Sequence, residues 1–240
     1  MDQRTFRDFV VAAARAATEA SGQIGHLVLT QTYGPKEKPK IREPEMRHAL
    51  AQCAECSGYY YGVEVPTNIK HRFKNTRGPR RVSGRHDFAV FSGGDLTLAA
   101  SVLVELKAGQ PTRRDASSKD EDCPAIVKDF VKLFCETAGG KSFVHVLPST
   151  GSGTLSTLEK KYRHSCLRAV DVVAERFPEF ERKKDDTAWF SEFVLVGPGR
   201  RGSGAGELHL KEWAGIWQFI EAMRQGEDGA WLSQSLLFRP

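Results

Sequence analysis

Short apolar runs alternate with amphipathic stretches along the 240-residue chain, and that alternation restricts the fold more than any other feature. Residues 59–67 (YYYGVEVPT), 85–92 (RHDFAVFS), 96–108 (LTLAASVLVELKA), 142–148 (SFVHVLP) and 190–198 (FSEFVLVGP) have the lengths and residue types of strands. A further short strand is expected at 24–30, and Gly93-Gly94 suits a hairpin between the second and third runs. Helical spacing appears between them. Phe6, Phe9, Val10, Ala13 and Ala17 predict a helix over 2–20. A second helix begins near Glu43, with Pro44 in its first turn and Met46, Ala49, Leu50 and Cys53 inward. A third covers 124–136. Ser156-x-x-Glu159 has the form of a capping box, opening a long helix whose stripe runs from Leu155 through Tyr162 and Cys166 to Phe177. A closing helix is expected over 212–225. Strands alternating with helices define an α/β layout, with an N-terminal helix and linker (1–40), a core (41–150) and a C-terminal α/β extension (151–240).

Among the charges that these apolar runs carry, those of two neighbouring runs stand out. LVELKAG (103–109) ends with Glu105 and Lys107, and RHDFAVF (85–91) holds Asp87. Residues i and i+2 of a strand share a face, so Glu105 and Lys107 project together and Asp87 can meet Glu105 across the sheet. Acids inside apolar strands are costly unless used. Two carboxylates suit a hard divalent cation such as Mg²⁺, and a lysine beside them serves metal-assisted phosphodiester hydrolysis. The spacing alone does not discriminate, since Glu159/Lys161 and Glu181/Lys183 repeat it in polar surroundings. The bland alternative is a strand-end ion pair at the solvent boundary.

The order helix, three strands, helix, strand over 43–148, with Asp87 on the second strand and Glu105-x-Lys107 on the third, resembles the PD-(D/E)xK nuclease superfamily. The resemblance implies a restriction-endonuclease-like α-β-β-β-α-β core, a mixed central sheet flanked by helices, with terminal helical decorations. It implies Mg²⁺ or Mn²⁺ held by Asp87, Glu105 and the Leu106 carbonyl. A glutamate of the first core helix would assist, Glu43 in preference to Glu45, and Lys107 would position or activate water. Lys128, on the second core helix, matches a position that is often basic or amide. The family's proline before the aspartate is replaced by His86.

A net charge of +5 and a pI near 9.0 lean mildly towards polyanions. The segment 70–81 is more pointed: Lys70, Arg72, Lys74, Arg77, Arg80 and Arg81 occur there with no acid, a pattern suited to phosphate contact or to a solvated loop. GPGRRGSGAG (197–206) is a second basic loop. No run reaches the ~20 apolar residues of a membrane span. Five cysteines without a secretory signal suggest free thiols in a cytoplasmic setting. The lone Cys53-x-x-Cys56 pair lacks the further ligands of a zinc or iron–sulfur site, and neither a P-loop nor G-x-S-x-G is present. The expected function is therefore a metal-dependent nuclease, on DNA more than RNA, with a homodimer or a defence or repair complex as partners. An inactive nuclease-like module for nucleic-acid binding, or an assembly subunit, is the alternative.

Overall fold

A computed structural model describes residues 1–22, 43–71, 82–94, 99–109, 125–147, 154–177, 188–197, 206–226 and 232–238. Among the described residues, seven strands form one sheet whose spatial order follows chain order: β1 (Tyr60–His71), β2 (Val82–Phe91), β3 (Val102–Ala108), β4 (Gly140–Leu147), β5 (Trp189–Val196), β6 (Gly206–Trp213) and β7 (Leu232–Phe238). The helices are α1 (Gln3–Gly22), α2 (Glu43–Cys56), α3 (Ala125–Cys135), α4 (Thr154–Arg176) and α5 (Ile216–Gln225). β3, β4 and β5 run parallel, joined by α3 and α4 as crossovers, while the outer pairs are antiparallel. The fold is α/β with a mixed sheet flanked by helices. Over 43–148 the elements run α2-β1-β2-β3-α3-β4, in the expected order.

Each face of the sheet carries its own core. α1 and α2 bury Phe6, Val10, Ala13, Met46 and Leu50 against Phe88, Val104, Val144 and Phe193. α3, α4 and α5 bury Phe130, Tyr162, Ala169 and Phe219 against Phe91, Leu103, Phe143 and Phe190. The alternation Phe143/Val144 and Val146/Leu147 supplies both faces in turn, so β4 is buried along its whole length. Asp2 caps α1, its carboxylate accepting the Thr5 amide at 2.8 Å.

Gly140 opens β4 because nothing larger fits. A Cβ there would lie 2.0 Å from the Trp189 ring, its register partner on β5. Gly140→Ala is expected to destabilise the fold by about 1–3 kcal/mol, read as a lowered urea midpoint with an unchanged slope.

The sequence reading needs correction in the C-terminal third. Residues 206–213, GELHLKEW, form β6, so the closing helix starts at Ile216 and not at Glu212. Leu208 and Leu210 face α1 and α2, whereas His209 and Lys211 are buried on the opposite face. With β5 and β7, this makes the region a continuation of the sheet and not a helical decoration. α4 begins at Thr154, so Ser156 lies inside the helix and is no cap; Glu159 instead pairs with Lys211. β3 begins only at Val102. The expected strand at 24–30 lies outside the described residues, as do Arg72, Lys74, Arg77, Arg80, Arg81, Cys123 and the loop 198–205; Lys70 falls on the backbone of β1.

A second buried acid, Glu192 of β5, sits under α4 with its Oε1 lacking a hydrogen-bond partner among the described residues. Burial lifts its carboxyl from 4.5 to about 8, opposed by Lys211 and helped by Glu159. Between those values the folded protein keeps a proton that the unfolded chain has released, so stability falls as pH rises through that window. The loss should reach about 3 kcal/mol by pH 7. Urea unfolding at pH 5, 6, 7 and 8 should show this slope in the wild type and a flatter one in Glu192→Gln.

Candidate active site

The antiparallel ladder of β2 and β3 runs through Val90↔Val102, Ala89↔Leu103 and Phe88↔Val104, and stops there. The next two residues are Asp87 and Glu105. Where the strands part, the Leu106 amide loses its main-chain partner, and the Asp87 carboxylate takes that amide at 2.7 Å. An unpaired amide costs free energy, so the acid closes the gap that the splayed strands open. Leu106, expected to contribute its carbonyl to a metal, is thus seen at the site through its N–H.

Helices on both faces of the sheet reach this opening. From α2, Arg47 spreads its guanidinium over three carboxylates: Glu64 at 2.7 Å, Glu43 at 2.9 Å and Asp87 at 3.1 Å. From α3, Asp129 receives Lys107 at 3.1 Å and Lys132 at 3.2 Å. Lys132 also pairs with Glu105 and donates to the Arg85 carbonyl at 2.9 Å. The other Glu105 oxygen lies 2.6 Å from His86 Nδ1. His86 therefore has a task where the resemblance would place proline: it holds the buried Glu105 carboxylate from the neighbouring strand.

Glu43, Asp87, Glu105 and Lys107 lie in one cluster of interacting charges. Asp87 and Lys107 both act electrostatically on Glu43, whereas Glu45 is buried on α2 beside Met46 and is not among the main charges acting on Asp87, Glu105 or Lys107. Lys128 is likewise absent from those charges; the basic group that α3 delivers is Lys132, one turn further on. Arg47, Glu64, His86, Asp129 and Lys132 escaped the sequence reading. Two of them carry a local signal, since Arg47 stands four residues after Glu43 and Lys132 three after Asp129, spacings that pair on a helix.

Charge in the cluster is out of balance. The ion pairs join five carboxylates (Glu43, Glu64, Asp87, Glu105 and Asp129) to three permanent cations (Arg47, Lys107 and Lys132). Burial raises the Asp87 carboxyl, against the pull of the Leu106 amide and Lys132. Burial also raises Glu43, with Asp87 adding to it, and lifts Glu105 well above the usual range despite Lys132. Burial by itself would depress the Lys107 ammonium, but Asp129, Glu43 and Asp87 outweigh it and hold it above its ordinary value. Lys107 is accordingly a cation at neutral pH, fit to orient water or stabilise charge and unfit as a base in this arrangement.

This surplus of hard oxygen donors fits a divalent cation in kind. Among the described residues, no three His, Cys, Asp or Glu side chains already stand close enough to hold one; internal cations engage the carboxylates instead. Cys53 is half-buried and Cys56 exposed, both free thiols.

Backbone strain marks the same place. Glu64 has φ of 54°, in the left-handed region, within a strand; for a residue other than glycine this costs roughly 1–2 kcal/mol. Its neighbours pair as Val63↔Phe88 and Val65↔His86, so Glu64 stands opposite Asp87. Beyond Lys107, Gly109 turns the chain with φ of 84°, and its carbonyl accepts His145 Nε2 at 2.6 Å. Tyr162 holds the other imidazole nitrogen, which fixes the exit of β3 just past the lysine.

Comparison with protein-family models, with curated proteins and with solved structures finds no match. Among the described residues no helix is long and apolar enough to cross a membrane.

Proposed function

We propose that this protein is a metal-dependent nuclease of the PD-(D/E)xK type, hydrolysing phosphodiester bonds, in DNA more readily than RNA, in the cytoplasm. The observation that carries the reading is the meeting of Asp87, Glu105 and Lys107 where β2 and β3 part, with Glu43 and Asp129 brought there by α2 and α3. The element order α2-β1-β2-β3-α3-β4 supports a restriction-endonuclease-like core.

Asp87 and Glu105 are the residues that would hold Mg²⁺ or Mn²⁺, assisted by Glu43 and the Leu106 carbonyl. The ion, when bound, supplies an acidified water and neutralises phosphate charge. The chain's own work is positional and electrostatic. Lys107, kept protonated by Asp129 and its neighbours, orients the attacking water and stabilises the charge that builds on the phosphate. Asp129 fixes the lysine's reach. The Leu106 amide and Arg47 aim the two oxygens of Asp87. The basic segment 70–81, joining β1 to β2, leads into the Asp87 strand and is suited to gripping the phosphate backbone.

One observation favours the alternative of a module that binds nucleic acid without cutting. Glu105 is fully buried, with His86 and Lys132 on its two oxygens. Incubation of plasmid and single-stranded DNA with Mg²⁺, Mn²⁺ or EDTA separates the two. Cleavage that EDTA abolishes is expected; tight binding indifferent to EDTA, with no cleavage, would replace the nuclease reading by the binding one.

A further inference from the structure

Arg47 is placed as no ordinary surface cation would be. Its two terminal nitrogens reach Glu43, Glu64 and Asp87, carboxylates contributed by α2, β1 and β2. Three acids on one guanidinium leave that group of charges at −2, and the Nε, buried, has no partner among the described residues. A structural anchor is normally satisfied at every donor; this one is not. Glu64 reaches the guanidinium from a backbone conformation that disfavours any side chain, and it does so opposite Asp87. Strain kept at a cluster of like charges is the mark of a functional arrangement.

We propose that Arg47 is a resident counter-ion, holding Glu43, Glu64 and Asp87 together until a divalent cation displaces it, and that Glu64 is part of the acidic set that draws the cation in. The inference rests on the nuclease reading and adds to it a residue pair that the sequence motif does not contain. A divalent ion entering beside Asp87 meets the repulsion of a fixed positive charge a few ångströms away, so the guanidinium must swing aside. Arg47 has the freedom to do so, being about a quarter exposed. Once released, it lies at the mouth of the site, where a phosphate can take the place of the carboxylates it has left. Loading of the metal and capture of the nucleic-acid backbone are thereby linked through one side chain.

The test is Mn²⁺ binding to the full chain without DNA, followed by electron paramagnetic resonance, for wild type, Arg47→Met, Arg47→Lys and Glu64→Gln, each checked for folding by circular dichroism. Arg47→Met is expected to bind Mn²⁺ about tenfold more tightly than wild type, because a competing charge is gone. Arg47→Lys, which keeps the charge and loses the fork, should lie close to wild type. Glu64→Gln keeps shape and backbone and should bind several-fold more weakly. Equal or weaker binding by a folded Arg47→Met protein would overturn the counter-ion role while leaving the metal site in place. No Mn²⁺ bound by either wild type or Arg47→Met would remove the site itself, and the nuclease reading with it.

Discussion

Asp87→Asn should abolish cleavage while leaving the protein folded. The amide keeps the shape of the side chain and an oxygen for the Leu106 N–H, now 2.7 Å from the carboxylate, so the opening between β2 and β3 survives. What is lost is a negative charge at the centre of the cluster. An acid that binds a catalytic metal is worth several kcal/mol in the transition state, so the rate should fall on the order of 10³-fold or more. Lys107→Ala should lose a comparable amount, since Lys107 is the cation that the cluster keeps charged and that the proposed mechanism uses to orient water. Lys128→Ala serves as the control on the same helix as Asp129 and Lys132 and should cut at nearly the wild-type rate. Single-turnover cleavage of plasmid in Mg²⁺ is the measurement. Full activity in Asp87→Asn would end the assignment of this cluster as the active site.

Lys132→Met should produce the largest loss of stability of any conservative change in the cluster. Glu105 is completely buried, and Lys132 is its permanent counter-charge as well as a donor to the Arg85 carbonyl and a partner of Asp129. Methionine fills the same space and removes the charge, leaving a buried carboxylate without compensation. Breaking a buried pair in this way costs about 3–5 kcal/mol. Replacing both members tells the two roles apart. The double variant Glu105→Met, Lys132→Met should recover most of that stability and none of the cleavage. Urea unfolding at constant pH reads the first and the plasmid assay the second. A single Lys132→Met variant as stable as wild type would mean that Glu105 is not charged in the folded protein.

How much of this was readable beforehand depends on the element. An apolar strand ending in Glu105 and Lys107, with an acid on the strand before it, is a contradiction within the local pattern, and such contradictions tend to fall at functional sites. Asp87, Glu105, Lys107 and the order of elements around them were therefore legible. α3 was not, in the detail that mattered. Ile126, Val127, Phe130, Val131 and Leu133 form one apolar face, and Lys128 and Lys132, a turn apart, both lie off it, so the pattern does not say which of the two reaches the site. β6 was missed for a related reason. Both its faces are covered and one of them bears His209 and Lys211, so Leu208 and Leu210 give only a weak alternation beside a stronger helical pattern downstream. Nothing in the sequence announces Glu64, because a left-handed residue other than glycine is imposed by its surroundings and not by its own preference. His86 could only be noted as a departure, and its contact with Glu105 turns on the splay of two strands.

The agreement of spatial and chain order across the sheet bears on how the molecule is assembled. Each strand can add to the one before it as synthesis proceeds, with one hairpin or helical crossover to close at each step. α1 is the exception. Phe6 packs on Trp189 and Phe193 of β5, and Gln3 donates to the carbonyl of Trp213, 210 residues away. α1, which precedes the sheet in chain order, thus has its seat completed only when β5 and β6 exist. Until then α1 can pack on α2, Tyr59 and Phe88, but the part of Phe6 that meets Trp189 and Phe193 stays uncovered. Docking of α1 therefore ties the early part of this fold to β5 and β6, strands made more than 150 residues later.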